Sequence, residues 1–287
     1  MSGTPFFPAS SGAPTVGVFD SGFGGLTVLR SLITHLPRAR FAFVGDTARL
    51  PYGSKSRRTI ARYAVQSAQF LVREMGAEYL VIACNTASAL ALDAIQDAVP
   101  VPVLGVIEPG ATAARAASAS KDVLVIATDA TVHSHAYSEA CQAQGLRALE
   151  KACPLLVPLV EEGWTDHPVT AEVFRIYLDE LRKDAAAHGL NPDTLVLGCT
   201  HYPLLRPLIE RVLGECGPCG IRVIDSAEST AEAAAQLFNG RAALASSDPA
   251  QTEIRCFATD SVDKFERLGS RFLGRPVGHV ELLDLGG

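Results

Sequence analysis

The sequence predicts an α/β fold made of two similar open α/β domains with mostly parallel sheets, facing each other across a cleft. Three observations predict it. Short runs rich in Val, Ile and Leu recur along the chain, stretches of helical length and amphipathic period separate them, and two early runs resemble two later ones. Continuous apolar strands are those buried on both faces of a parallel sheet, and their alternation with helices is the pattern of crossover connections.

In chain order, residues 1–15 (MSGTPFFPASSGAPT) lack the basic and apolar segments of a secretion signal and are expected to form a flexible tail. Strands are expected at 16–19, 41–44, 80–83 and 103–106, with an amphipathic helix over 59–75. Further strands are expected at 123–127, 155–158, 195–198, 222–224 and 254–257. VGVFDSG, from residue 16, resembles VLVIATD, from residue 123; LVIACNTAS, from residue 80, resembles LVLGCTHYP, from residue 195. In each pair a strand ends and a small polar motif follows at once, which is where open α/β sheets place ligands. The expected organisation is a first domain of 16–107 plus 220–287 and a second of 108–219.

Composition narrows the partners. The 287 residues carry 25 Lys and Arg against 31 Asp and Glu, a net charge of -6 with no concentrated basic stretch, so nucleic acid is not the expected partner. Every apolar run is broken well short of a bilayer span, so no membrane partner is expected. The seven cysteines are odd in number and irregularly spaced, which fits a reducing cytoplasm rather than a disulfide scaffold.

Chemistry concentrates at the strand ends. Cys84 and Cys199 each follow a predicted strand and precede a predicted helix, where unpaired N–H groups favour negative charge and lower a thiol's pKa toward neutrality. Either alone could be a buried structural cysteine. Two equivalent thiols on facing domains could instead remove a proton from one face of a carbon and return one to the other, inverting it. Asp20 and His201 stand beside them as groups able to adjust protonation; otherwise Asp20 is a helix cap and His201 a packed histidine. Glu161 is a further carboxylate expected directly after the 155–158 strand. The loop DSGFGG matches neither a P-loop nor G-x-G-x-x-G, so its N–H groups are expected to suit a carboxylate, together with donors from Ser21, Asn85, Thr86 and Thr200. A small zwitterionic acid is the ligand these groups suggest. No metal spacing is present: His133 and His135 lie two apart and do not share a helix face.

The motifs FDSGFGGLTV (19–28), GDTARLPYGSKS (45–56), ACNTAS (83–88) and GCTHYPLL (198–205), with weaker VIEPG, PLVEEG and IDSA, resemble the cofactor-independent aspartate/glutamate racemase family. The resemblance implies interconversion of L- and D-glutamate, supplying D-glutamate for peptidoglycan, by a homodimer that needs no cofactor. It implies that Cys84, assisted by Asp20, acts on D-glutamate and that Cys199, assisted by His201, acts on L-glutamate. The substrate contacts it implies are Asp20, Ser21, Pro51, Tyr52, Gly53, Asn85, Thr86, Thr200 and His201, with Thr131 and Glu161 behind them. One position departs from the pattern: ATDATVHS (127–134) has Ala130 where the family has glycine. If that glycine had positive φ, alanine would cost about 1 kcal/mol and displace the loop.

Other readings are an aspartate racemase or related isomerase, and a binding protein that closes on an acidic amino acid without chemistry. CGPC at 216–219 spells a redox motif, but it is expected in a loop between a helix and a strand, the reverse of the redox context. None of the five lysines sits in a Schiff-base motif.

Overall fold

The computed structural model describes residues 13–215, 220–238 and 252–286; the CGPC motif and residues 1–12 lie outside them. The chain runs β1 (Thr15–Asp20), α1 (Leu26–His35), β2 (Arg40–Gly45), α2 (Arg57–Arg73), β3 (Tyr79–Ile82), α3 (Asn85–Ala98) and β4 (Val103–Gly105). It continues through α4 (Ile107–Ala117), β5 (Asp122–Ala127), α5 (Asp129–His133), α6 (Ala136–Ala143), β6 (Arg147–Ala152), α7 (Leu156–Glu161), α8 (Pro168–Ala187), β7 (Thr194–Gly198), α9 (Arg206–Glu215) and β8 (Arg222–Asp225). Last come α10 (Ser226–Leu237), β9 (Ile254–Ala258), α11 (Val262–Leu273) and β10 (Val280–Leu282).

Two sheets form, ordered β10-β9-β2-β1-β3-β4 and β6-β5-β7-β8, and every strand pairing in them is parallel. The order β2-β1-β3-β4 repeats as β6-β5-β7-β8, so the paired sequence segments occupy matching strands. Period-2 alternation buries both faces of the first sheet. Val16, Val18, Phe41 and Phe43 point to one apolar cluster, and Phe19, Ala42 and Val44 point to another under α2 and α3. The first of these clusters also takes in Leu29 and Leu32 of α1, Ala231 and Ala234 of α10, and Val123 and Val125 of β5, so one core ties the halves together.

Three expectations change. Residues 155–158 do not form a strand but open α7, where Pro158 sits in the first turn and removes an N–H that would have no intrahelical partner. The strand of that region is β6, RALEKA, an edge strand whose Arg147, Glu150 and Lys151 leave no apolar run to read. The return to the first sheet falls later than residue 220, because β8 pairs with β7 and only α10, packed on α1 and α4, leads back. Thr15, placed in the tail, is the first residue of β1. Among the described residues no helix is long and apolar enough to cross a membrane.

Candidate active site

The first half places its thiol by helix capping. Cys84 has extended backbone and caps α3, its Sγ accepting from the Ala87 N–H at 3.4 Å and donating to Ser21 Oγ at 3.4 Å. Asp20 ends β1 beside it. Its Oδ2 accepts from the Gly22 N–H at 2.9 Å, while Oδ1 is buried with no partner. Asp20 does not cap α1 through its side chain. Burial raises the Asp20 carboxyl, and burial together with the Asp20 charge pushes the Cys84 thiol up to about 12. The expected fall toward neutrality is therefore reversed at Cys84: desolvation and a neighbouring carboxylate outweigh the helix N-terminus.

The second half is built otherwise. Cys199 follows β7 and leads into a 3-10 turn, Tyr202–Leu205, rather than directly into an α-helix. His201 Nδ1 lies 3.9 Å from Cys199 Sγ and 3.4 Å from Thr200 Oγ1, and its Nε2 is 3.4 Å from Glu161 Oε1. The other Glu161 oxygen is 3.2 Å from Lys264 Nζ. Burial alone would lower the His201 imidazolium, but Cys199 and Glu161 overcome it and raise it to about 10. Burial would raise Glu161, yet His201 and Lys264 hold it below the ordinary carboxylate range. Glu161 reaches the site from the C-terminal end of α7, not from a strand.

The glycine loop lies at the junction of the halves. A Cβ on Gly24 would lie 2.3 Å from Thr200 Oγ1 and 2.7 Å from the His201 ring, and one on Gly25 would lie 2.6 Å from Asp20 Cβ. The Gly22 N–H is engaged on Asp20, and the Thr27 N–H of α1 closes on the Gly24 carbonyl. Thr27 Oγ1 reaches the Thr200 carbonyl at 3.1 Å. Behind the loop, Asp46 is fully buried and accepts from Tyr52 OH at 2.6 Å and Thr259 Oγ1 at 2.9 Å, which holds the Pro51-Tyr52-Gly53 turn. Ala130 lies inside α5 and is not among the positive-φ residues, so alanine carries no left-handed backbone cost there. Thr86, Thr128 and Thr131 join hydroxyls across the halves at 2.9 to 3.2 Å.

These elements enclose a cavity of about 500 Å³ walled from both halves. Ser21, Pro51, Tyr52, Gly53, Cys84, Asn85 and Thr86 line it from the first half, and Glu161, Cys199, Thr200 and His201 from the second. Asp20 and Thr131 do not line it; Asp20 lies behind Cys84 and Thr131 behind Thr86 and Thr128. Lining residues that the sequence did not single out include Leu50, Val157, Asp129 and Lys264. Lys264 arrives on α11, docked by Phe265 against Phe23 and Phe43, and no local motif marks it. His133 pairs with Asp129 and His135 with Glu150. Among the described residues the one His/Cys/Asp/Glu trio with donor atoms close enough for a metal is His35, Glu228 and Glu232, none of which lines the cavity.

Comparison with known proteins shows the family of the chain. Residues 24–234 match the model of the Asp/Glu/hydantoin racemase family. The chain is 53% identical to the glutamate racemase of Koribacter versatilis (strain Ellin345) over 296 residues, covering 96% of this chain and 98% of that relative. Among solved structures, the glutamate racemase of Francisella tularensis in complex with D-glutamate superposes with a TM-score of 0.83 at 33% identity, covering 96% of this chain and 99% of that one. That of Thermus thermophilus in complex with β-chloro-D-alanine gives 0.81 at 41% identity, with 96% and 99% covered. With the family model spanning most of the chain and a relative matched end to end, this chain belongs to the Asp/Glu/hydantoin racemase family.

Proposed function

We propose that this chain is a glutamate racemase that interconverts L- and D-glutamate by proton transfer between two thiols, without a cofactor, and so supplies D-glutamate for peptidoglycan. The observation that carries the reading is a single cavity walled by one thiol from each half, each with a different proton-adjusting neighbour. In one direction a Cys199 thiolate takes the α-proton of L-glutamate and the Cys84 thiol delivers its own proton to the opposite face. In the other direction the sulfurs exchange roles. The carbanion's charge passes into the α-carboxylate, where donors from Asn85, Thr86 and Thr200, enclosed away from water, stabilise it.

The two thiols meet neighbours of different kinds. Cys84, held up to about 12, keeps its proton, while the His201 imidazolium, raised to about 10, stands 3.9 Å from Cys199 Sγ. With this reading go a small-molecule substrate, a homodimer and a cytoplasmic setting, without nucleic acid or membrane.

The test is incubation of the purified protein with L-glutamate in D2O without added cofactor, followed by circular dichroism and by NMR of the α-proton. Loss of optical signal together with deuterium at Cα is the expected result. No exchange and no optical change with either enantiomer of glutamate or aspartate would overturn the reading in favour of a binding protein.

A further inference from the structure

Tyr137 belongs to α6, in the second half, and its ring is fully buried. The ring passes between α4 and the end of β7. A Cβ on Gly198 would lie 2.9 Å from its Cε2, and one on Gly110 would lie 3.3 Å from its Cε1. Two glycines thus clear a slot for one aromatic ring. Through that slot the hydroxyl reaches the first half and donates to Asn85 Oδ1 at 2.7 Å. Asn85 is 3% exposed, lines the cavity next to Cys84, and its Nδ2 is buried with no partner.

The two ends of a carboxamide have nearly the same shape and opposite hydrogen-bonding character, so a neighbour decides which end faces a ligand. A phenol hydroxyl that donates to Oδ1 occupies the acceptor end and leaves the donor end for the cavity. Burial pushes the Tyr137 phenol above its ordinary range, so it keeps its proton at working pH. We propose that Tyr137 is a positioning residue: from the opposite half it fixes the Asn85 amide with its N–H₂ toward the substrate, so that this point of the cleft accepts a carboxylate oxygen. A flipped amide would set Oδ1 against that oxygen, and an unpaired amide would populate both orientations. The orientation is supplied across the cleft, so substrate binding reads the contact between the halves. The proposal rests on an acidic amino acid as substrate, the reading argued above.

The test is a double-mutant cycle on the full chain with Tyr137→Phe, Asn85→Ala and the pair, reading calorimetric affinity for D-glutamate, KM, kcat and melting temperature. Tyr137→Phe, which keeps the ring in its slot, is expected to weaken D-glutamate about tenfold, the scale of one lost buried hydrogen bond. KM should rise by more than kcat falls, and Tyr137→Phe should add less than about twofold once Asn85 is alanine. Asn85→Asp, which presents acceptors only, should bind D-glutamate more weakly than Asn85→Ala does. Unchanged affinity in Tyr137→Phe, losses that multiply in the pair, or wild-type affinity in Asn85→Asp would each overturn the proposal. Affinity does not require turnover. A wild-type chain that binds D-glutamate without racemising it would sink the racemase reading while leaving the cycle on Tyr137 decisive.

Discussion

Cys84 and Cys199 stand at the ends of β3 and β7, strands with the same place in two sheets of the same order, yet their neighbours are of opposite kinds. Beside Cys84 lies a buried carboxyl with one oxygen unpartnered; beside Cys199 lies an imidazole held by a carboxylate, which is itself held by a lysine. The carboxyl discourages a second negative charge, and the imidazolium invites one. Matching topology therefore sets where each sulfur sits, and the differing side chains set the charge beside it. For the proposed reaction, which begins with one thiol and one thiolate, unlike halves are what the chemistry needs, and identical halves would have to break their own symmetry.

Removing either sulfur breaks the comparison most severely. Cys84→Ala and Cys199→Ala should each lower racemisation about a thousandfold or more, because neither acid nor base can substitute for the other on the opposite face. The sharper outcome is one-sided exchange. Cys199→Ala should still exchange the α-proton of D-glutamate with D2O, and Cys84→Ala that of L-glutamate, each without inversion. NMR of each enantiomer checks this, and exchange of the same enantiomer by both variants would remove the assignment of one face to each half.

Replacing the neighbours should cost less and separate reactivity from rate. Asp20→Asn and His201→Asn are each expected to slow racemisation about a hundredfold, the usual weight of a positioned acid or base. At pH 8, iodoacetamide should alkylate Cys84 faster in Asp20→Asn, because the charge that raises its thiol is gone. Cys199 should be alkylated more slowly in His201→Asn, because its cationic neighbour is gone. Peptide mass spectrometry reads both sites in one digest, and a shift of the same sign at both would mean that the halves are electrostatically alike.

Stability against pH reads the same contrast without substrate. The His201 imidazolium is raised from 6.5 to about 10, so the folded chain holds a proton that the unfolded chain releases above 6.5. Its contribution is complete below pH 6.5 and is lost as pH rises toward 10, with a slope of at most about 1.4 kcal/mol per pH unit. Urea unfolding of wild type minus His201→Asn should therefore fall across pH 6.5 to 9, below the point to which the Cys84 thiol is raised. A flat difference would mean that the imidazole is neutral in the folded chain.

How much of this was legible in the sequence depends on what each feature leaves in a local pattern. The central strands were legible because burial on both faces writes unbroken Val, Ile and Leu. β6 and β10 are not, since charged residues such as Arg147, Lys151 and Glu281 break their apolar pattern, and α7 reads as a strand because LVPLV is equally apolar in either form. The thiols, Asp20 and His201 were legible from strand-end motifs. The direction of the Cys84 shift was not, since burial and the Asp20 charge are properties of the packed cleft. Tyr137 and Lys264 approach from helices whose local sequence records only which face is apolar.

Lys264 offers the mildest test and bears on where one half ends. It is carried by α11, which packs on α1 and β10, yet its ammonium meets Glu161 of α7, so a charge from the first half helps hold the acid/base set of the second. The pair lies at the cavity wall with side chains 47% and 22% exposed, and ion pairs so open to water are worth about 0.2 to 1 kcal/mol. Lys264→Met should accordingly change kcat/KM by only about two- to fivefold and reduce the sensitivity of the rate to added salt, while Lys264→Arg should keep both. Steady-state assays across an ionic-strength series check this. A loss near a hundredfold in Lys264→Met, restored by arginine, would make the lysine part of the His201 system rather than a contact at its edge, and the two thiols would then differ because each half reaches into the other.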